Sequence, residues 1–296
     1  LLTTPSQQNV FPVAALLTGA AIWGLLWYPY RLLTQDGISG QVSTVITYAI
    51  ALVMGLVLFR KSIRASQIFT GKPLLLFWIA LFAGWTNMAY ILGVIHGEVM
   101  RVLLLFYLAP LWTILFARLL LNEKLSLHGY LVIVLSLAGA VSMLWQPGSG
   151  FPLPSSHGDW MGLTGGVMFA MMNVMIRKDQ HHSIQVKSLA LCLGVMLMGL
   201  SHSLLLPSQL ALTQISTGSW LLMLAIGVVV FALSLIMQYG LTHIAANRAS
   251  VIMLFELLVA AIAAYFLANE TMALKEWIGG AMIVSASLFS ARMNQK

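Results

Sequence analysis

Charge is what this chain lacks most. Only 8% of its 296 residues are Asp, Glu, Lys or Arg, and 60% are hydrophobic. A soluble domain carries about 25% charged residues. This chain could not cover a water-facing surface with polar groups, and a bilayer is the solvent its composition fits. Cysteine is nearly absent: a single Cys192, set in an apolar run, excludes a disulfide framework and a thiolate metal cluster. No HExxH occurs, and Asp36, Asp159 and Asp179 all sit near the ends of apolar runs. The paired acids or metal ligands of an intramembrane enzyme are therefore missing, and the chain does not read as an enzyme or as the holder of a cofactor or metal. A channel would need a ring of charges or carbonyls, for which one buried acid is a thin basis.

What is present is a series of apolar runs. About 20 residues cross the hydrocarbon core as a helix. Ten candidates run from 11–32, 40–59, 73–95, 99–119, 127–146, 159–177, 185–206, 218–240, 248–268 and 275–292. They are apolar all round, whereas barrel strands would alternate. Turn signals or charge break them, as at Asp36-Gly37, Arg60-Lys61, Asn122-Glu123-Lys124 and Pro147-Gly148. The first run is too long for a signal peptide and reads as a permanent span.

The 15 basic residues set the orientation. With the N-terminus in the cytoplasm, Arg60, Lys61, Arg64, Lys72, Arg118, Lys124, Arg177, Lys178, Lys187, Arg248, Arg292 and Lys296 fall inside. Only Arg31, Arg101 and Lys275 fall outside. That asymmetry follows the positive-inside rule, places both termini in the cytoplasm, and explains the net charge of +7 without nucleic acid.

The chain also repeats itself. GVIHGEVMR (93–101) returns as GLTHIAANR (240–248), with Gly, His and Arg at the same spacing. WGLLWYPYR (23–31) aligns with FAMMNVMIR (169–177), and LLLNEKLSLHGY (119–130) with FLANETMALKEW (266–277). The offset is 146 or 147 throughout (177 − 31; 248 − 101). Two halves, 1–146 and 147–296, thus hold five spans each, and an odd number inverts the second relative to the first. Two inverted repeats can exchange conformations and expose a central site to each side in turn. The expected fold is an all-α, multi-pass membrane protein of ten helices in two inverted five-helix repeats.

AAIWGLLW (20–27), LLLFYLAPLWTILFARLLLNEKLSLHGYLVIVLSLAGA (103–140), GLTGGVMFAMMNVMIRK (162–178) and SVIMLFELLVAAIAAYFLANETM (250–272) resemble the ten-span EamA-type members of the drug/metabolite transporter superfamily. The resemblance covers nearly the whole chain. It implies secondary transport of a small organic metabolite, often an amino acid, across a bacterial-type inner membrane, usually as export. Uptake or exchange of a vitamin, nucleotide-like or amine solute is the alternative it leaves open. Protons or a counter-substrate would drive such a carrier, acting as a monomer or homodimer. Members often carry Glu-Pro in the ninth span. Here Glu256 precedes Leu257, and Pro110 occupies the matching place in the fourth, so a broken helix is expected in the first half only.

Glu256 is the sharpest candidate residue. It is the only charge within 249–267. A carboxylate at mid-bilayer costs at least about 2.5 kcal/mol and turns toward the bundle interior. There it could exchange a proton or pair with a substrate amine. Trp23, Trp85 and Tyr107 sit well inside their spans, where rings could stack on an aromatic solute or hold an ammonium. Asn87, Asn173 and Gln238 are amides at membrane depth that would orient a polar ligand. Arg101 and Arg248 open the fourth and ninth spans and could meet a substrate carboxylate or a gating partner, with Glu98 as the local partner of Arg101. His96 and His243 read as turn residues, His181-His182 as a solvated loop pair, and Glu123 as a helix-end charge of little consequence. Ala138/Ser142 and Ala281/Ser285 have the small-xxx-small spacing of close helix contacts, or of a dimer contact.

Overall fold

The computed structural model describes residues 10–61, 72–97, 99–145, 153–205, 215–268 and 273–290. These form α1 (Val10–Gln35), α2 (Gly40–Phe59), α3 (Pro73–His96), α4 (Val99–Phe106), α5 (Ala109–Leu121), α6 (Leu127–Leu144), α7 (His157–Lys178), α8 (Ile184–Leu205), α9 (Thr217–His243), α10 (Ala246–Met253), α11 (Phe255–Ala268) and α12 (Leu274–Phe289). Among the described residues, eight segments are helical, long and apolar enough to cross a membrane, with α4–α5 and α10–α11 each counted as one. The expected sixth and tenth spans are helical without being among those eight. One carries Asp159, Arg177 and Lys178 in its end turns, and the other is described over only 16 residues.

Serines start several helices. Ser39, Ser126, Ser156 and Ser216 accept hydrogen bonds from the N–H groups of Val42, Gly129, Asp159 and Ser219, satisfying donors that have no partner inside the helix. At α7 the cap is reciprocal, because the Asp159 side chain returns to the Ser156 N–H.

Helix pairings cross between the halves. α3 packs on α7 and α8, while α9 packs on α1 and α2. α7 carries α4 and α5, while α1 carries α10 and α11, and α6 pairs with α12. When the halves are exchanged, each pairing of the first two groups becomes another of the same group, and α6–α12 returns to itself. The α6–α12 contact rests on Gly139 and Gly279, where a Cβ would come within 2.7 and 2.6 Å of the opposite carbonyl oxygen. The close contact between α6 and α12 is therefore made by glycines, while Ala138 and Ala281, expected in a small-residue seam, are exposed.

Both halves contain a broken helix, where only the first was expected. α4 ends at Phe106 and α5 begins at Ala109; Pro110 has no N–H to return to the Phe106 carbonyl. The second break falls at Leu254, with no proline. There the chain tightens, as the Leu254 N–H bonds to Val251 O at 3.2 Å and the Leu257 N–H to Leu254 O at 3.1 Å. Leu108 and Leu254 stand 146 positions apart (254 − 108), the same interval as the sequence echo.

Glycines seat each broken helix. Gly158, Gly162 and Gly166 form one stripe on α7. A Cβ at Gly162 would lie 2.6 Å from the Val102 carbonyl oxygen, and one at Gly166 would strike that of Phe106. On α1, a Cβ at Gly24 would lie 2.7 Å from the Glu256 carbonyl oxygen. Only a residue without a side chain allows backbones this close.

Candidate functional site

The two breaks meet at one contact. The Tyr107 hydroxyl, at the first break, donates to Oε1 of Glu256, two residues past the second, at 2.9 Å. Glu256 thus turns inward and is held by the opposite half. Phe106 lies beside this pair and makes three ring contacts, with Tyr90 at 5.7 Å and with Tyr107 and Phe169 at 5.4 Å. A carboxylate bordered by rings can hold an organic ammonium by charge and by cation–π attraction, or exchange a proton.

The other expected residues are spread along the bundle. Trp23 is half-buried against the main core. Trp85 is 36% exposed, and its indole N–H reaches Thr164 Oγ1 at 3.4 Å. Asn87 is half-buried. Asn173 is buried under α10 and donates to Met253 Sδ at 3.8 Å, leaving its Oδ1 without a described partner. Gln238 is buried with neither amide atom partnered among the described residues. Arg248 is half-buried, and its Nε likewise has no described partner.

Arg101 finds a distant partner. Its Nε donates to Asp159 Oδ2 at 2.7 Å, and its Nη2 donates to both the Leu153 carbonyl and Ser155 Oγ. Glu98, the expected neighbour, lies outside the described residues. His96 and His243 each donate from Nδ1 to the carbonyl four residues back, closing the last turns of α3 and α9. His182 departs from its reading as a solvated loop residue. It is buried and bonded to Asp179 at 2.7 Å, because that turn folds under Lys187. The Lys187 ammonium is itself buried and donates to Thr242 Oγ1 at 2.6 Å and to the Asp179 carbonyl at 3.0 Å.

Glu123, read as a helix-end charge, instead makes contacts far along the chain. Its Oε2 accepts from the Ala246 N–H at 3.1 Å, and its Oε1 lies 3.7 Å from Arg177 Nε. Burial pushes its carboxyl above the usual range, while Arg177 and the Ala246 N–H pull it back. The Asn-Glu echo at 122–123 and 269–270 was the signal that could have found it. Among the described residues, no three His, Cys, Asp or Glu side chains group as metal ligands.

Comparison with known proteins agrees with this architecture. The EamA-like transporter family pattern matches residues 10–145 and again 156–292. An uncharacterized transporter of Archaeoglobus fulgidus is 30% identical over 215 residues, 72% of this chain and 75% of that protein. A solved structure, described as the crystal structure of a protein, superposes with a TM-score of 0.78 over 97% of this chain and 100% of that one. At 17% identity, that likeness concerns the fold alone.

Proposed function

The chain belongs to the EamA-like transporter family, and from that premise we propose that it exports a small organic metabolite, an amino acid or related solute, by alternating access around Glu256. As a family member it is a multi-pass membrane transporter of small solutes. The observation that carries the finer reading is the Tyr107–Glu256 bond, which lies where two helix breaks 146 residues apart converge. Discontinuous helices at corresponding places in two halves mark the substrate site of inverted-repeat carriers. The double family match and the exchangeable helix pairings support ten spans in two inverted halves, 1–146 and 147–296.

In this reading Glu256 binds a substrate ammonium or a proton, and the Tyr107 hydroxyl, which donates to its carboxylate, orients it. Trp23, Trp85, Asn87, Asn173 and Gln238 supply rings and amides along the path, and Arg101 and Arg248 stand at its ends. The membrane is a bacterial-type inner membrane with both termini in the cytoplasm. A cysteine placed at 152 or 212 should then label from outside intact cells, and one at 66 should not. Labelling at 66 would overturn this topology. Counterflow in proteoliposomes separates the function classes. A carrier exchanges labelled solute, an enzyme alters it, and a channel passes it without saturation. Exchange or uptake of an amine solute is the second reading, favoured by the rings around the carboxylate.

A further inference from the structure

Glu123 joins the two halves at the end of α7 opposite Asp159. It sits in the turn after α5, where Asn122 takes a left-handed φ of 56° that stops the helix. One carboxylate oxygen holds the first N–H of α10, and the other faces Arg177 at the last turn of α7. A carboxylate is favoured at a helix N-terminus by the free N–H groups and the helix dipole. α10 is only eight residues long, and it ends at the Leu254 break, two residues before Glu256. A clamp on its first residue therefore fixes how far the segment can pivot about that break.

The other end of α7 is tied differently. Asp159 is fully buried. It receives Arg101 at 2.7 Å, the Ser155 N–H and hydroxyl at 2.9 and 3.0 Å, and the Ser156 N–H at 3.3 Å. Glu123 and Arg177 are 17% and 31% exposed and stand 3.7 Å apart. Short charge-assisted bonds out of water hold far better than a separated pair that water can reach. The two ties lie about 27 Å apart along the helix, at a rise of 1.5 Å per residue. They are thus independent locks on opposite ends of the bundle.

Building on the transport reading, we propose that Glu123 latches the end of the pathway where α7 terminates. This end opens first, as α10 leaves Glu123 and Arg177 while the Arg101–Asp159 end stays shut. Glu123 acts through α10 and does not touch the solute.

Asn173 lies beneath α10, so a cysteine there reports the opening. The test uses the full chain in lipid nanodiscs at pH 7, with Cys192→Ala and Asn173→Cys, and follows the rate of labelling by a charged, water-soluble maleimide. Glu123→Gln should raise that rate roughly fivefold, the scale expected from losing a partly exposed pair and a negative charge at a helix N-terminus. Arg177→Gln should act in the same direction and serves if Glu123→Gln fails to fold. Asp159→Asn should give no rise. An unchanged rate in a folded Glu123→Gln or Arg177→Gln protein overturns the latch, as does an equal rise in Asp159→Asn. Labelling needs no substrate. Faster labelling, beside an absence of counterflow in the unsubstituted chain that keeps Asn173, leaves the latch standing and removes the transport reading instead.

Discussion

Gly166→Leu is expected to prevent stable assembly of the bundle. A side chain at 166 meets the Phe106 carbonyl oxygen, and backbone cannot yield as a flexible side chain does. Leu is a better helix former than Gly by up to about 1 kcal/mol, so local propensity works against any loss. Overpacking of a rigid contact costs about 1–3 kcal/mol or more, and here the larger value applies because α4 must move as a body. That movement would carry Tyr107 away from Glu256. A drop in thermal midpoint of roughly 5–10 °C, or loss of the monodisperse peak in size-exclusion chromatography, is the expected reading. Gly218→Leu is the control, since its nearest neighbour is the Ser216 hydroxyl at 3.7 Å. Equal stability of the two variants would mean that the glycine stripe does not seat the broken helix.

Glu256→Ala is expected to leave the fold intact and reduce transport by about 10- to 100-fold. A hydrogen bond to a charged group is worth about 1.5–3 kcal/mol, and this carboxylate is the one that faces both helix breaks. Removing it costs the fold little. Tyr107 loses one partner, and the acid no longer has to be kept out of water. Solute counterflow and thermal midpoint, measured on the same preparation, separate these effects. Loss of counterflow with an equal loss of midpoint would make Glu256 a structural acid instead.

Much of this arrangement was legible before the structure. Glu256 stood out because one charge in an apolar run is costly in lipid, and matching motifs at a constant interval were visible in the spacing alone. The second helix break was not legible, because Leu254 carries no proline signal. It is defined by i→i−3 bonds that only the folded backbone shows. The partner of Arg101 was also hidden. Glu98 is one turn away, whereas Asp159 is 58 residues on, and no local rule favours a distant acid over a near one. Glu123 looked like a helix-end charge because its partners, Arg177 and the Ala246 N–H, come from the other half. His182 looked solvated because loop histidines usually are, yet the Asp179 turn folds beneath a buried lysine. Gly162 and Gly166, four residues apart, carried no signal in the sequence that set them off from other glycines. Their meaning needed the knowledge that α4 lies across them.

In the proposed mechanism Glu256, held by Tyr107 between the two broken helices, couples solute movement to its own charge. The most direct test is counterflow of a labelled amino acid in proteoliposomes across pH 5.5 to 8.5, comparing the wild-type chain with Glu256→Gln. The glutamine still accepts a bond from Tyr107 and fixes the charge at zero. Exchange is expected to depend on pH in the wild type and to show a flat profile in the variant. A variant that exchanges solute with the wild-type profile would contradict it.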